Sequence, residues 1–449
     1  MRNSKEIEAN ENVIKILLIC QAIAPVQDIA AIRWTKIAKY LKRNYDIHIT
    51  VLTDEKDLSG NPYALNPWKI DPLLKEDLQY FDEYWVAANS IELKTFYHFR
   101  RFIKKGKSNN HVQNVSDCGS GKVVIAKKEI VACLREMKAR LYAKSVFAFA
   151  NKQKLDFDVV ISSYGPVWTH LVAERVKEKQ PSVRWFADFR DPYALDSDAP
   201  HAYKRHSNFV KKHCKKADAI IKVTEGFELF VPQKQELVTI TNGFDPDERL
   251  TPKPPKRFNL VYTGVMYGNR RDIGVVCKAV AELIREGKIN EAKVIYAGPH
   301  GETAKKLARK YEAEEVLEDI GVLDRNAALQ LQQGAAILIQ MNWNTKKLHC
   351  EWSGKMYEYM MANKPIVFIV TGDDPHSYPS RYMGKLGGYC YEQCRHEQTY
   401  SGLKQYILEK YQEWEKTGNV SIERDKDYVL QYSYPAIAKK VYDLINKQR

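Results

Sequence analysis

The chain has 449 residues, 44% apolar and 28% charged, with a formal net charge of +14. That is enough for two or three domains with ample cores, and it excludes a disordered or fibrous protein. No apolar run approaches the roughly 18 residues of a membrane span, and the charged opening Met-Arg-Asn-Ser-Lys-Glu-Ile-Glu lacks the apolar core of a signal peptide.

The first predicted element is a near-continuous apolar strand from Val13 to Cys20, the pattern of a parallel sheet covered on both faces. A loop from Gln21 to Asp28 follows, then a helix through Ile32, Ile37, Tyr40 and Leu41, then a strand at Ile47–Leu52. Together they make a βαβ unit. Between Lys94 and Lys154 there are 15 Lys and Arg against Asp117, Glu129 and Glu136, a local net of +12. Such a segment suits an anionic surface, either lipid headgroups or a phosphorylated acceptor. Nucleic acid is not expected, because no nucleic-acid-binding motif accompanies the charge. Within this segment a helix near Lys127–Lys152 is expected to present Ile130, Leu134, Met137 and Leu141 on one face, with a solvated or a membrane-touching basic face opposite.

Strands recur at Phe157–Ser162, Arg184–Ala187, Ala219–Val223 and Leu237–Ile240. The stretch Pro252-Lys-Pro-Pro-Lys256 reads as a linker, after which the alternation restarts. Strands are predicted at Phe258–Tyr262, Lys293–Ala297, Ala335–Gln340 and Ile366–Val370. Helices fit near Asp272–Arg285, Glu302–Tyr311, Arg325–Gln333 and Gly354–Met361, and a last amphipathic helix near Tyr434–Asn446. Alternating β and α on both sides of a joint predicts an α/β protein with two doubly wound, Rossmann-like domains. The expected bounds are 1–250, with the basic insertion at about 94–154, then 257–430, then a C-terminal helix at 431–449 that returns to the first domain.

Ligands of such sheets sit beyond the carboxyl ends of the strands. Three loops of the second half meet that condition: Thr263-Gly264 through Arg270-Arg271, Gly298-Pro-His-Gly301, and the segment from Glu351 through Lys355 to Glu358. Lys355 falls in the first turn of its helix, where the dipole disfavours a cation, and an anion in the same place would relieve this. Arginine, lysine and exposed helix amides together suit a diphosphate, and a carboxylate such as Glu358 suits ribose or sugar hydroxyls. An ordinary solvated Lys/Glu pair is the competing reading of Lys355 and Glu358.

In the first half, Asp188, Arg190 and Asp191 leave a strand and enter a Pro-terminated loop. Three charged groups at a strand's carboxyl end are costly unless paired or functional; a loop-fixing Arg190–carboxylate bridge is the structural alternative. Ser162–Pro166 and Pro25–Arg33 are loops of the same kind, and His170 reads as a helix residue rather than a base. No convincing metal site is found: Cys390-x3-Cys394-x-His396 matches no common zinc spacing, and Asp373-Asp374 reads as a turn. The eight cysteines, without framework-like spacing, suit a reducing cytosol.

Ile16-Leu-Leu-Ile with Pro25 and Arg33, Ala187-Asp-Phe-Arg-Asp-Pro192, Asn242-Gly-Phe-Asp245, Tyr262-Thr-Gly264 and Gly354-Lys-Met-Tyr-Glu-Tyr359 occur in the order seen in one family. In this order the chain resembles the family-4-like (group 1) glycosyltransferases of GT-B fold, over residues 13 to 445. The resemblance implies two Rossmann-like domains facing a cleft, with a nucleotide-sugar donor on the C-terminal domain and a glycan or lipid-linked acceptor on the N-terminal one. It places Gly264, Arg270, Arg271 and Gly298 on the phosphate side, with Lys355. Glu358 matches the second glutamate of the family's E-x7-E motif. The first falls on Cys350, so Glu351 is the candidate contact to the transferred sugar. The family often has a histidine near Asp188–Asp191; here Asp188 or Asp191 is expected to orient or deprotonate the acceptor. Retention of configuration, independence of metals and other cofactors, and a cytoplasmic place at the inner face of the membrane, building surface polysaccharide or glycolipid, are further implications. A non-hydrolysing sugar-nucleotide epimerase of the same fold and a non-catalytic membrane-surface binding protein are the alternatives. A nicotinamide dehydrogenase is unlike this chain, since no G-x-G-x-x-G follows Cys20 or Tyr262.

Overall fold

The computed structural model describes residues 13–56, 58, 68–88, 121–190, 200–225, 235–248, 253–346 and 352–447. The chain divides into two compact units, one of residues 1–223, 228–240 and 441–449 and one of 224–227 and 241–440.

In the first unit β1 (Ile14–Ile19), β2 (Ile47–Asp54), β3 (Glu83–Ala87), β4 (Val159–Ser163), β5 (Arg184–Phe189), β6 (Ala219–Lys222) and β7 (Glu236–Thr239) form one sheet. The order is β3-β2-β1-β4-β5-β6-β7, with every pairing parallel. Strands buried on both faces must be apolar throughout, which is why β4 is wholly buried and β1 exposes only Lys15. The chain reverses direction across the sheet between β1 and β4, the switch point where loops part and leave a crevice. Helix α1 (Ile29–Asn44) starts at Asp28, whose carboxylate accepts from the Ala30 N–H at 2.7 Å. Its inward face carries Trp34, Ile37 and Leu41, and also Arg33 and Lys36. Lys36 is matched by a buried ion pair to Asp77 at 2.6 Å.

Helix α2 (Gly121–Ala150) is longer than predicted, and it packs against α3 (Trp168–Lys179) on a different face. Tyr142, Ala143, Val146 and Ala150 enter the core, whereas Met137 and Leu141, expected on one apolar face of the helix, are 53% and 56% exposed. Tyr142 packs edge-on against Trp168 of α3, with ring centroids 5.2 Å apart. Ile130 and Leu134, and most of the basic 94–154 segment with them, lie outside the described side chains. Helix α4 (Pro200–His213) precedes β6.

In the second unit β8 (Asn259–Thr263), β9 (Lys293–Ala297), β10 (Leu317–Asp319), β11 (Ile337–Trp343), β12 (Ile366–Thr371) and β13 (Gly388–Glu392) pair in the order β10-β9-β8-β11-β12-β13, again all parallel. Its switch point lies between β8 and β11. Helices α5 (Gly274–Arg285), α6 (Gly301–Lys310), α7 (Arg325–Gln333) and α8 (Gly354–Ala362) match the predicted ones to within two residues, and α9 (His396–Thr417) was not predicted. One core cluster joins β8, β9, β11 and β12 to α5 and α9, including Leu260, Val280, Val294, Ile339, Val367 and Leu403. Each such side chain contributes about 1.5–3 kcal/mol by leaving water.

The final helix, α10 (Tyr434–Lys447), belongs to the first unit from Val441 onward. There Tyr442 stacks on Tyr45 with ring centroids 3.6 Å apart, and Arg184 donates to the Ile445 carbonyl.

Candidate functional site

The carboxyl end of β8 is built on two glycines. Gly264 has φ +147 and donates to the Ala297 carbonyl at 2.8 Å, while its own carbonyl accepts from the Tyr296 hydroxyl at 2.9 Å. A side chain at Gly298 would run into that same Gly264 carbonyl, so only glycine lets the two strand ends meet. A Cβ on Gly264 would come within 2.9 Å of Lys355 Cε. The lysine stem therefore lies across Gly264, and the first turn of α8 is held against the end of β8.

Around this point the polar groups form one connected set. Lys355 Nζ is 3.5 Å from Glu358 Oε2, which also accepts from Gln332 Nε2 at 3.2 Å. Gln332 in turn donates to Thr263 Oγ1 at 3.0 Å, and the Tyr359 hydroxyl accepts from the Thr263 N–H at 3.4 Å. The carboxylate is thus fixed to β8 and α7, and the pair differs from a solvated one on a helix surface. Ser353 at the N-cap of α8 makes no capping bond; its hydroxyl accepts from Gln340 Nε2 at 2.6 Å. No cap side chain occupies the first-turn amides, so an anion can use them.

The two arginines part company. Arg271 donates to the Tyr262 hydroxyl at 2.7 Å and the Val265 carbonyl at 2.8 Å, and stacks on Tyr267 at 4.5 Å. Tyr262 also borders Gly264, so Arg271 belongs to the cluster of Lys355. Burial pushes the Tyr262 phenol up to about 12, with the Arg271 charge opposing it, so it stays a neutral donor. Arg270 instead stacks on Trp343 at the end of β11, 4.5 Å away. Tyr267 is 60% exposed and holds φ +51, a left-handed conformation costly for a tyrosine. Of the predicted set, Gly264, Gly298, Arg271, Lys355 and Glu358 come together; Arg270 stands at the neighbouring strand end; Glu351 lies outside the described residues.

In the first unit, Asp188 is fully buried near the end of β5. Arg33 grips it in bidentate fashion, donating from Nη2 at 2.8 Å and from Nε at 3.3 Å. Trp34 Nε1 donates to it at 2.7 Å and Ser163 Oγ at 3.0 Å. With the Arg33 bond to the Ile240 carbonyl at 2.8 Å, this knot ties α1, β4, β5 and the end of β7 together. Asp188, expected to orient or deprotonate the acceptor, is thus a buried carboxylate enclosed by four donors. The bridge to Asp188 comes from Arg33. Arg190 donates from Nε to the Tyr164 carbonyl at 2.9 Å, and its guanidinium lies against Gly165. Asp191 lies outside the described residues. His170 is a core residue: it shares a 2.7 Å hydrogen bond with Ser162 Oγ, and burial drives its pKa down to about 3.

A polar group at the ends of β1 and β2 escaped the sequence reading. Asp54 accepts from Gln21 at 2.9 Å and from Lys56 at 3.1 Å, and Lys56 also bonds Thr53 Oγ1 at 2.6 Å. The available signal was the charged run Asp54-Glu-Lys56 directly after a strand, the same argument that drew attention to Asp188. In the Cys390–His396 segment, Cys390 is buried in β13 and His396 Nδ1 shares a 2.9 Å bond with the Tyr391 hydroxyl.

No protein-family model matches the chain, and no curated protein matches it in sequence. Solved structures do. The lipopolysaccharide outer core galactosyltransferase WaaB in its apo form is 13% identical with a TM-score of 0.52, over 97% of this chain and 100% of that one. The N-terminal domain of Candida albicans trehalose-6-phosphate phosphatase is 9% identical with a TM-score of 0.61, over 98% and 97%. The pneumococcal O-GlcNAc transferase GtfA in complex with UDP and GlcNAc is 12% identical with a TM-score of 0.51, over 97% and 99%. At this identity the likeness carries the fold: the chain has the GT-B fold, two Rossmann-like domains in one polypeptide.

Proposed function

We propose that this protein is a glycosyltransferase that moves a sugar from a nucleotide-sugar donor to an acceptor hydroxyl. The observation that carries the reading is Lys355 laid across Gly264, beside Glu358 and Arg271, at the switch point of the second unit. Transfer needs charge stabilisation where the diphosphate departs. Fixed cations and helix amides at one place supply it without reorganisation. In this reading Lys355, Arg271 and the first turn of α8 hold the diphosphate, with Arg270 at the neighbouring strand end, and Glu358 accepts from ribose hydroxyls. A uridine diphosphate donor is favoured, since UDP is bound by the pneumococcal transferase of the same fold. Glu351 is assigned to the transferred sugar, Asp191 and Arg190 to the acceptor, and Asp188 to holding the acceptor loops. No metal or other cofactor is invoked, because the protein's own cations supply the positive charge. Retention of configuration, a glycan or lipid-linked acceptor, and a cytoplasmic place at the membrane's inner face in surface-glycan synthesis belong to the same proposal. They rest on the resemblance of the motifs.

The test is a thermal-shift screen of nucleotide sugars followed by turnover of the one that binds. Binding at a hundredfold excess over Kd adds about 2.7 kcal/mol of apparent stability. Lys355→Ala should abolish most of that shift and lower turnover by roughly 10²–10³, the usual loss for one charge-stabilising group. Glu358→Ala should weaken donor binding while the fold persists. Near-normal turnover in both variants would sink the assignment, and a changed sugar nucleotide formed without acceptor would favour the epimerase.

A further inference from the structure

A cavity of about 810 Å³ opens in the first unit, bordered by Lys15, His48, Glu83, Trp85, Asp156 and Asp158. These residues stand at the amino ends of β1, β2, β3 and β4: Lys15 pairs in register with His48, and Thr50 with Glu83. The cavity is therefore on the sheet edge opposite Asp188 and Arg190, and the transferase reading makes no use of it. Its volume is that of a small-molecule site.

The lining chemistry narrows the ligand. The lining sets three carboxylates, Glu83, Asp156 and Asp158, against two lysines; Lys15 pairs with Asp156 at 2.7 Å, and His48 lies 3.5 Å from Glu83. The excess of carboxylates disfavours a phosphate group. The carboxylates keep further lone pairs, and together with the Lys154 ammonium and the Gln153 amide they offer acceptors and donors side by side. Hydroxyl groups, which donate and accept at once, match such a lining. On one wall Trp85 provides an apolar plate that is already immobilised. Its Nε1 donates to Glu83 Oε2 at 2.8 Å, and Phe157 packs edge-on at 5.7 Å. A pinned aromatic ring loses little entropy on binding and can cover the C–H face of a pyranose.

We propose that this cavity is a second carbohydrate-binding site, which takes a neutral oligosaccharide. It stands on the geometry of the first unit and does not depend on the donor assignment. The experiment measures binding of glucose, galactose and N-acetylglucosamine oligomers by saturation-transfer NMR and tryptophan fluorescence. At least one oligomer should bind the native chain. Trp85→Ala and Asp156→Ala should each weaken it tenfold or more, whereas Lys355→Ala, in the other unit, should leave it unchanged. Asp156 is 56% exposed, so its variant keeps the fold even if Trp85→Ala does not. Absence of binding by every oligomer, unchanged binding in Asp156→Ala, or binding of phosphorylated oligomers alone would each overturn the proposal.

Discussion

Gly264 shows how much chemistry one missing side chain permits. Its φ of +147 suits glycine, and its open face is covered by the Lys355 stem. Gly264→Ala should therefore cost about 1–3 kcal/mol of backbone strain and also displace the lysine. The expected result is a lowered thermal midpoint together with loss of donor-induced stabilisation, a combination that Lys355→Ala does not produce. His170 has a different consequence. Its pKa is held near 3 by burial, against about 6.5 in an unfolded chain. Between those values the unfolded state binds the proton and the folded state does not, so stability is complete above about pH 6.5 and falls as pH drops toward 3. The slope from this residue is at most about 1.4 kcal/mol per pH unit. Denaturant unfolding at pH 7 and pH 5 should show the loss, and His170→Gln should flatten it.

At the scale of elements, the successes and misses divide by burial. Strands buried on both faces, such as β1 and β12, are continuous apolar runs and were placed within a residue or so. The strands overlooked, β3, β10 and β13, include both short edge strands that open a sheet, where one side lacks a neighbour and polar residues are tolerated. Helix α2 was found, but its packed face was not. The packed residues are Tyr142, Ala143, Val146 and Ala150, whereas Met137 and Leu141 are exposed. Met137→Lys and Leu141→Lys should change stability by less than about 0.5 kcal/mol, as surface substitutions do. Val146→Ala should cost about 1.5 kcal/mol, at ~0.8 kcal/mol per buried methyl-sized group. Chemical denaturation of the three variants separates the two faces.

At the scale of the whole molecule, the polypeptide leaves its first unit and comes back to it. The last residues of α10 bury Leu444 and Ile445 and stack Tyr442 on Tyr45. Truncation after Lys440 should remove those contacts and lower the midpoint of the first unit's unfolding by several degrees, at roughly 2–4 °C per kcal/mol for a domain of this size. Calorimetry that shows no change would mean that α10 contributes nothing there.

What the sequence by itself determined is the pattern of alternating strands and helices, since periodicity and apolar runs are local properties. It also marked which strand ends carry charge, and so singled out Lys355, Glu358, Arg271 and Asp188. The tertiary structure decided what each of those charges does, because partners distant in sequence set it. Asp188 is enclosed by Arg33, 155 positions away, and becomes a tie between loops. Lys355 meets Gly264 only because parallel strands bring two crossover loops to the same sheet edge. The two adjacent arginines, equivalent on paper, part where the 3-10 turn Gly268–Arg270 gives way to extended backbone at Arg271, so that Arg271 reaches Tyr262 and Arg270 reaches Trp343.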